Sequence, residues 1–470
     1  MRTLIEKGTV VTPRGSFVGD VLIENQKIVA VGESLASAAK DRGGEPLLKI
    51  SAEERIVLPG GVDGHTHLDM DLGDIASADD FFTGTRAAAL GGTTALVDYA
   101  ESGEKSLAQG LERWMAKADD KAVIDYGFHM TIKKLDTAVL SQMSGMVETG
   151  VTSFKVFTAY PGRMMLEQEE IRRVMARAAE LGAVVVVHAE DGVLIEDLIR
   201  RARRAKATDP IDHALTRPSA GEARATETVL QMASETDTPI VIAHISACQA
   251  ARKVAEFRQR SNRVHGETCP HYLWLEQRRL RQTGIQGAAY ICAPPLRDVT
   301  HMHCLWKAIA GGTIDIVGTD HCPFNIEGQK DRGCLPNGGF DFTRVPGGLP
   351  GIQTRLHLLY VGGVMCGRFD WVKLAAIFAE NPAKVFGLFP RKGALVSGAD
   401  ADIVVFNPHG VTSLDAKHLA MNVDYSPYEG MRVEGRVETV FSRGEMIVKD
   451  GKMVGRRGRG QYLHCGPYGG

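Results

Sequence analysis

The spacing of apolar and polar positions divides the chain into three regions. In residues 3–31 short runs with strand-like alternation, Thr3–Ile5, Thr9–Thr12, Val21–Glu24 and Lys27–Val31, are punctuated by Gly, Pro and Asn. That pattern predicts a small β-sheet unit. Residues 36–50 are polar and predict a loop. From 56 to 388, short apolar runs alternate with longer stretches of helical composition, as βαβ units around a parallel sheet do. The strand candidates are Ile56–Asp63, Thr93–Tyr99, Val123–Thr131, Val151–Phe157, Val184–His188, Ile240–Ile245, Arg263–Thr268 and Ile314–Thr319. Helical stretches such as Asp80–Leu90, Glu167–Leu181, Gly221–Glu235 and Ala247–Arg260 lie between them.

Eight such units predict an α/β architecture, a TIM-like (β/α)8 barrel over residues 56–388. An open doubly wound sheet is the alternative, but no G-x-G-x-x-G follows the first strand. Short strands return at Gly393–Val396, Asp402–Phe406, Val437–Ser442 and Glu445–Lys449. Residues 1–55 and 389–454 are therefore expected to build one small β-sandwich domain from both chain ends. The Gly- and Arg-rich tail, 455–470, is expected to be mobile or docked on a neighbouring subunit.

Composition changes this picture little. The chain has 470 residues, 44% hydrophobic and 24% charged, with a net charge of -2. Nothing in that balance points to nucleic acid or an anionic membrane as partner. No apolar run approaches the length of a membrane span. The opening MRTLIEKGTVVTPRG carries an acid and lacks the apolar core of a signal peptide. Eight cysteines are scattered without a C-x-x-C pair, so reduced thiols and a cytoplasmic setting are expected rather than a disulfide framework.

Candidate chemistry collects where barrel active sites form, at the C-terminal ends of the strands. In PGGVDGHTHLDMD, Pro59–Asp71, His65 and His67 are two residues apart, so on an extended segment both imidazoles share a face. The fourth strand carries Lys155 inside an apolar run; the fifth ends in His188, the sixth in His244 and the eighth in Asp320. Singly, each has a plain structural explanation, such as a hydrogen-bonded core histidine or a helix-capping aspartate. Together they place ligand-type residues at one end of five strands, which points to a metal centre. Lys155 is the odd member, because a buried ammonium is costly and repels cations. Once neutral, its amine could add CO2 and become an anionic, two-oxygen carbamate ligand; the plain alternative is a lysine reaching the barrel mouth.

The stretches GVDGHTHLDM, DDFFTGTRAAALGGTT, SFKVFTAY, VVVHAED, ETCPHYL, APPLR, GTDHCPFN, ENPAKVFGL and ADADIVVF cover nearly the whole chain, including the flanking β-unit and the GRGQYL tail. In them the chain resembles the dihydropyrimidinase and hydantoinase branch of the amidohydrolase superfamily. The resemblance implies zinc-dependent opening of hydantoins or dihydropyrimidines to N-carbamoyl amino acids by a hydroxide bridging two Zn2+ ions, with Mn2+ or Co2+ as substitutes. It implies that His65, His67 and Asp320 hold one metal, that His188 and His244 hold the other, and that Lys155, as N6-carboxylysine, bridges them. Asp320 would shuttle the proton and Tyr160 would hydrogen-bond the carbonyl oxygen; without the resemblance, Tyr160 reads as a rim aromatic. A homotetramer is also implied.

Two motifs depart from the branch pattern. Ala293 stands where Ser usually opens the Pro-Pro-Leu-Arg motif, and Gly347 stands for Asn in Pro-Asn-Gly. Both belong to the expected substrate-binding set, where backbone groups would survive the change. Allantoin hydrolysis is therefore the enzymatic alternative. A non-enzymatic scaffold is the alternative of another class, and the six filled ligand positions argue against it. Loop residues near Met70–Asp74 and Phe157 are expected around the ring substituent. His301-x-His303-Cys304 opens a helix, where i and i+2 do not share a face, and is read as a decoy. His321 is read as structural, His129 has no assigned partner, and Cys292, Cys322 and Cys334 lack an assigned base.

Overall fold

The protein is described from a computed structural model covering residues 2–41, 47–103 and 106–469. Eight strands pair in parallel and in chain order: Gly61–Thr66, Thr93–Glu101, Asp125–Thr131, Ser153–Phe157, Val184–His188, Ile240–Ile242, Val264–Thr268 and Ile316–Val317. They form a nearly closed (β/α)8 barrel. Strand parity sorts the side chains. Val184 and Val186 pack in the barrel interior with Val97 and Val241, whereas Val185 and Val187 join the cluster that also holds helix residues. By the same parity Lys155 and His188 fall on the interior side.

The expected strand Ile56–Asp63 is in fact divided. Ile56–Pro59 pairs with Ile403–Phe406 in a second sheet, and Gly61–Thr66 begins the barrel. The change of sheet happens at Gly60. Its amide bonds Asp402 O at 2.9 Å, while the next amide, of Gly61, bonds Gly92 O at 2.9 Å on the barrel side. A Cβ on Gly60 would lie 2.1 Å from Thr94 Oγ1, so only glycine permits this crossing. A hydropathy pattern does not show that one apolar run serves two sheets.

The second sheet has nine strands and is mostly antiparallel. Arg2–Thr12, Gly15–Glu24 and Lys27–Gly32 come from one chain end; Ile403–Ser413, Arg432–Ser442, Glu445–Lys449 and Lys452–Met453 come from the other. Residues 36–50, expected as a loop, contain the helix Ala36–Asp41 and the strand Leu47–Ser51, which runs parallel to Arg2–Glu6. Residues 42–46 of that expected loop lie outside the described residues. A buried Lys392 joins the two units: its Nζ is 2.7 Å from Asp125 at the base of the third barrel strand and 2.9 Å from Asp402.

The C-terminal tail docks on its own barrel rather than standing free. Leu463 and Tyr126 bond through the backbone at 2.7 Å, Cys465 and Gly150 at 3.0 Å, and Tyr468 and Gly182 at 2.9 Å. These partners precede or begin strands three, four and five, so the tail crosses the N-terminal end of the barrel. Buried Leu463 and Cys465 close the interior apolar cluster from below. The tail's low apolar content concealed how well these two side chains fit.

First and last strands meet through polar contacts. Asp63 accepts the Thr319 amide at 3.1 Å and its hydroxyl at 2.7 Å. Fully buried Arg355 donates through Nη1 to Val62 O at 2.9 Å and Val317 O at 3.0 Å, and through Nη2 to Thr93 Oγ1 at 3.0 Å. Arg355→Met removes the donor to both carbonyls from the buried seam and is expected to cost about 3 kcal/mol, read by equilibrium denaturation. A variant as stable as the parent would show that the seam does not depend on this side chain.

Candidate metal centre and substrate cavity

At the C-terminal end of the barrel the seam brings strands one and eight together. Asp320 Oδ1 lies 3.2 Å from His65 Nε2 and 3.1 Å from His67 Nε2. Ligand atoms of these three residues all fall within 4.8 Å of one another. Across the mouth, His188 Nδ1 faces His244 Nε2 at 3.0 Å. The His65 and His244 rings are 5.2 Å apart, so the two groups form one cluster. Lys155 points into it from strand four, 1% exposed, with Nζ over the Tyr99 ring at 4.9 Å and no hydrogen-bond partner.

Buried carboxylates turn the imidazoles toward the cavity. His65 Nδ1 lies 2.5 Å from Glu267 Oε1, and His188 Nε2 lies 2.9 Å from Glu190 Oε2. Each acid accepts a hydrogen bond from the outward N–H and fixes the ring with its other nitrogen toward the cavity, the usual support of a metal-binding histidine. Glu267 also accepts the His244 amide at 3.1 Å, and Asp63 accepts that of His65 at 3.2 Å. Sequence reasoning assigned no role to Glu267, Glu190 or Asp63. The available signal was an acid inside an apolar strand, in HGET and GVDG, or beside a histidine in HAED, since a buried carboxylate requires a partner.

The electrostatics follow from this packing. Burial disfavours charge on His65, but Glu267 and Asp320 outweigh it and lift its pKa to about 9. Burial would raise Asp320, yet the neighbouring imidazoles, His65 foremost, hold it well below the carboxylate range. Burial, with His188 and Lys155 nearby, keeps His244 neutral. Burial draws Lys155 down to about 8, so its amine loses a proton far more readily than a surface lysine. These residues fit a pair of cations: ring nitrogens aimed inward on two sides, that of His65 freed when a cation displaces its proton, an anionic carboxylate, and a buried amine without a hydrogen-bond partner among the described residues.

Tyr160 follows strand four in the left-handed region, at φ 66°, as do His244 at 39° and Asp320 at 46°. Three non-glycine residues in this sparsely populated conformation mark a site held by its surroundings. Burial raises the Tyr160 phenol, which stays protonated and able to donate.

All of these side chains open on one cavity of about 420 Å³ that Ala293 and Gly347 also line. In the Ile291–Pro294 loop most carbonyls are engaged. Gly348 N bonds Ile291 O at 3.0 Å, His213 Nε2 bonds Cys292 O at 2.8 Å, and the Tyr272 hydroxyl bonds Pro294 O at 2.7 Å. Among the described residues nothing bonds the N–H or C=O of Ala293, which leaves both to the cavity. Met70, Leu72, Phe157 and Met164 line its apolar side.

Other flagged residues are engaged elsewhere. His129 bonds Gly64 O at 3.0 Å and Ser153 Oγ at 2.5 Å, and His321 bonds Asp79 at 3.1 Å and the Gly351 amide at 3.0 Å. Cys292 and Cys322 are kept protonated by burial, Cys292 at about 12; Cys334 is exposed. Cys304 is joined to Cys248 in a disulfide that the sequence did not predict, while the six other cysteines are free, so there is no disulfide framework among the described residues. The helices Cys248–Arg258 and Val299–Ala310 bring the two together across 56 residues, a pairing no local pattern reveals. His301 Nδ1 accepts the Cys248 amide at 2.9 Å.

Comparison with known proteins agrees with this geometry. Residues 56–447 match the model of the Amidohydrolase family. A D-hydantoinase of Streptomyces coelicolor is 43% identical over 98% of this chain and 97% of its own, and one of Geobacillus stearothermophilus is 42% identical over 100% and 98%. A dihydropyrimidinase structure from Brevibacillus agri superposes with a TM-score of 0.95 at 40% identity, covering 100% of this chain and 99% of that one. An L-hydantoinase structure from Arthrobacter aurescens superposes at 0.87 with 25% identity, over 98% and 99%.

Because Glu267 orients His65, Glu267→Gln is expected to weaken metal binding about 10- to 100-fold, read by competition with a chromogenic chelator. Unchanged affinity would leave Glu267 a purely structural acid.

Proposed function

The chain belongs to the amidohydrolase family, and from that premise we propose that it hydrolyses the cyclic amide of hydantoins or dihydropyrimidines to N-carbamoyl amino acids. The observation that carries this reading is the convergence of His65, His67, Lys155, His188, His244 and Asp320 on one cavity, in a chain matched end to end by relatives named D-hydantoinase. We take the metals to be zinc: His65, His67, His188, His244 and Asp320 would hold them, and Lys155 would join them as a carbamate once its neutral amine adds CO2 and releases a proton. When bound, the metals supply a lowered water pKa and a polarised substrate carbonyl.

The chain's own groups do the rest. The backbone N–H and C=O of Ala293, unpaired among the described residues, with the N–H of neighbouring Gly347, match the acceptors and donor of a ring amide and orient it. The Tyr160 hydroxyl donates to the carbonyl oxygen as negative charge develops there. Asp320, ionised at neutral pH, takes the proton of the attacking water and returns it to the leaving ring nitrogen, so its charge is restored at each turnover. The apolar side of the cavity takes the ring substituent. A D-configured substrate is favoured because the relatives named D-hydantoinase are 32–43% identical and the L-hydantoinase 25%.

The test is ring opening of a 5-substituted hydantoin, dihydrouracil, allantoin and dihydroorotate by zinc-loaded protein, with chiral analysis of the product. Turnover of either of the first two, abolished by Lys155→Ala, is expected. Tyr160→Phe should lower kcat about 10²- to 10³-fold with a smaller change in KM. Turnover of allantoin alone would show that Ala293 and Gly347 build a different ring pocket. No turnover with two metals bound would remove the substrate assignment.

A further inference from the structure

Lys330 opens a short turn, Lys330–Gly333, beyond the eighth strand, and its side chain is fully buried. Its Nζ lies 3.1 Å from Ile291 O and 3.2 Å from Pro346 O. Among the described residues no carboxylate forms an ion pair with it; the thiols of Cys292 and Cys322, kept protonated by burial, and His213 are the ionisable groups that interact with it. An ammonium buried against carbonyls alone costs more than an apolar side chain of the same shape, so packing does not account for it.

Its two partners explain the placement. Ile291 belongs to the loop that presents Ala293, and Pro346 to the loop that presents Gly347. A peptide unit is planar, so the direction of the Pro346 carbonyl sets that of the Gly347 N–H. Holding Pro346 O aims the Gly347 amide, just as the His213 contact to Cys292 O aims the Ala293 amide. Ile291 O accepts the Gly348 amide as well as Lys330, which draws the two loops together. Gly348 itself packs against the chain after the eighth strand: at φ 155°, an added Cβ would lie 2.3 Å from Cys322 O.

We propose that Lys330 is a positioning residue that clamps the Ile291–Pro294 and Pro346–Gly348 loops, so that the backbone groups of Ala293 and Gly347 form one subsite for a cyclic amide. The clamp rests on the ring-opening reading for its purpose but not for its geometry. It acts on binding, since neither loop carries a ligand or the proton-transfer group.

Two readouts on metal-loaded Lys330→Met test it. Amide hydrogen exchange is expected to quicken roughly tenfold or more in peptides containing Ala293 and Gly347 and to stay unchanged in those containing His65 and His188. KM for the ring substrate is expected to rise about tenfold or more, with kcat within about threefold and full metal content. Lys330→Gln, which keeps a donor to one carbonyl, should give a smaller shift in both and serves if the methionine variant does not fold. Unchanged exchange and KM in a folded variant would overturn the clamp. So would kcat and metal content falling together with KM unchanged, because that is the mark of a structural role. A parent enzyme that opens none of the rings would sink the proposed function, yet the exchange comparison would still decide the clamp.

Discussion

The seam between the first and last barrel strands governs the chemistry above it. Arg355 bonds Val62 O on one strand and Val317 O on the other. Three residues further along each lie His65 and Asp320, whose ligand atoms are 3.2 Å apart. Between these levels Asp63 binds Thr319, and one residue beyond them Thr66 bridges to His321. A slip of one residue at this closure would turn alternate side chains to the other face of the sheet and separate the ligands. The polar seam thus sets the register that the metal site requires. The eighth strand, two residues long, could not secure it by its own ladder.

Above the seam, buried carboxylates hold the imidazoles from outside the cavity and Asp320 meets two of them within it. Glu267 and Glu190 satisfy the outward nitrogens of His65 and His188, so inward His65 Nε2 faces Asp320 and inward His188 Nδ1 faces His244. Lys155 has no hydrogen-bond partner, a costly state for a buried amine unless a cation site completes it. Backbone strain belongs to the same arrangement. Left-handed φ at Tyr160, His244 and Asp320 costs about 1–3 kcal/mol at each position, and persists only because the surrounding contacts over-determine it.

The two chain ends stabilise the barrel from outside that site. Lys392 links the small sheet to the third strand, and Arg459 in the tail bonds Val123 O at 2.9 Å and Ser442 O at 2.7 Å, one on each unit. Leu463 then fills the base of the interior. Barrel strands therefore carry function at one end and these contacts at the other, the division of labour expected of parallel barrels.

Eight strands, the sides they present and the histidines, lysine and aspartate at their ends were legible in the sequence, because period-two alternation is a local property of an extended chain. The family was legible too, since its motifs are contiguous stretches. What tertiary structure alone decided lies between distant residues: Glu267 on His65 across 202 positions, His67 against Asp320 across 253, and Cys248 bonded to Cys304. The division of Ile56–Thr66 between two sheets, the docking of the tail and the place of Lys330 between two loops belong to the same class. Each is settled by which surfaces and buried polar groups meet when the barrel closes, and no window along the chain contains both partners.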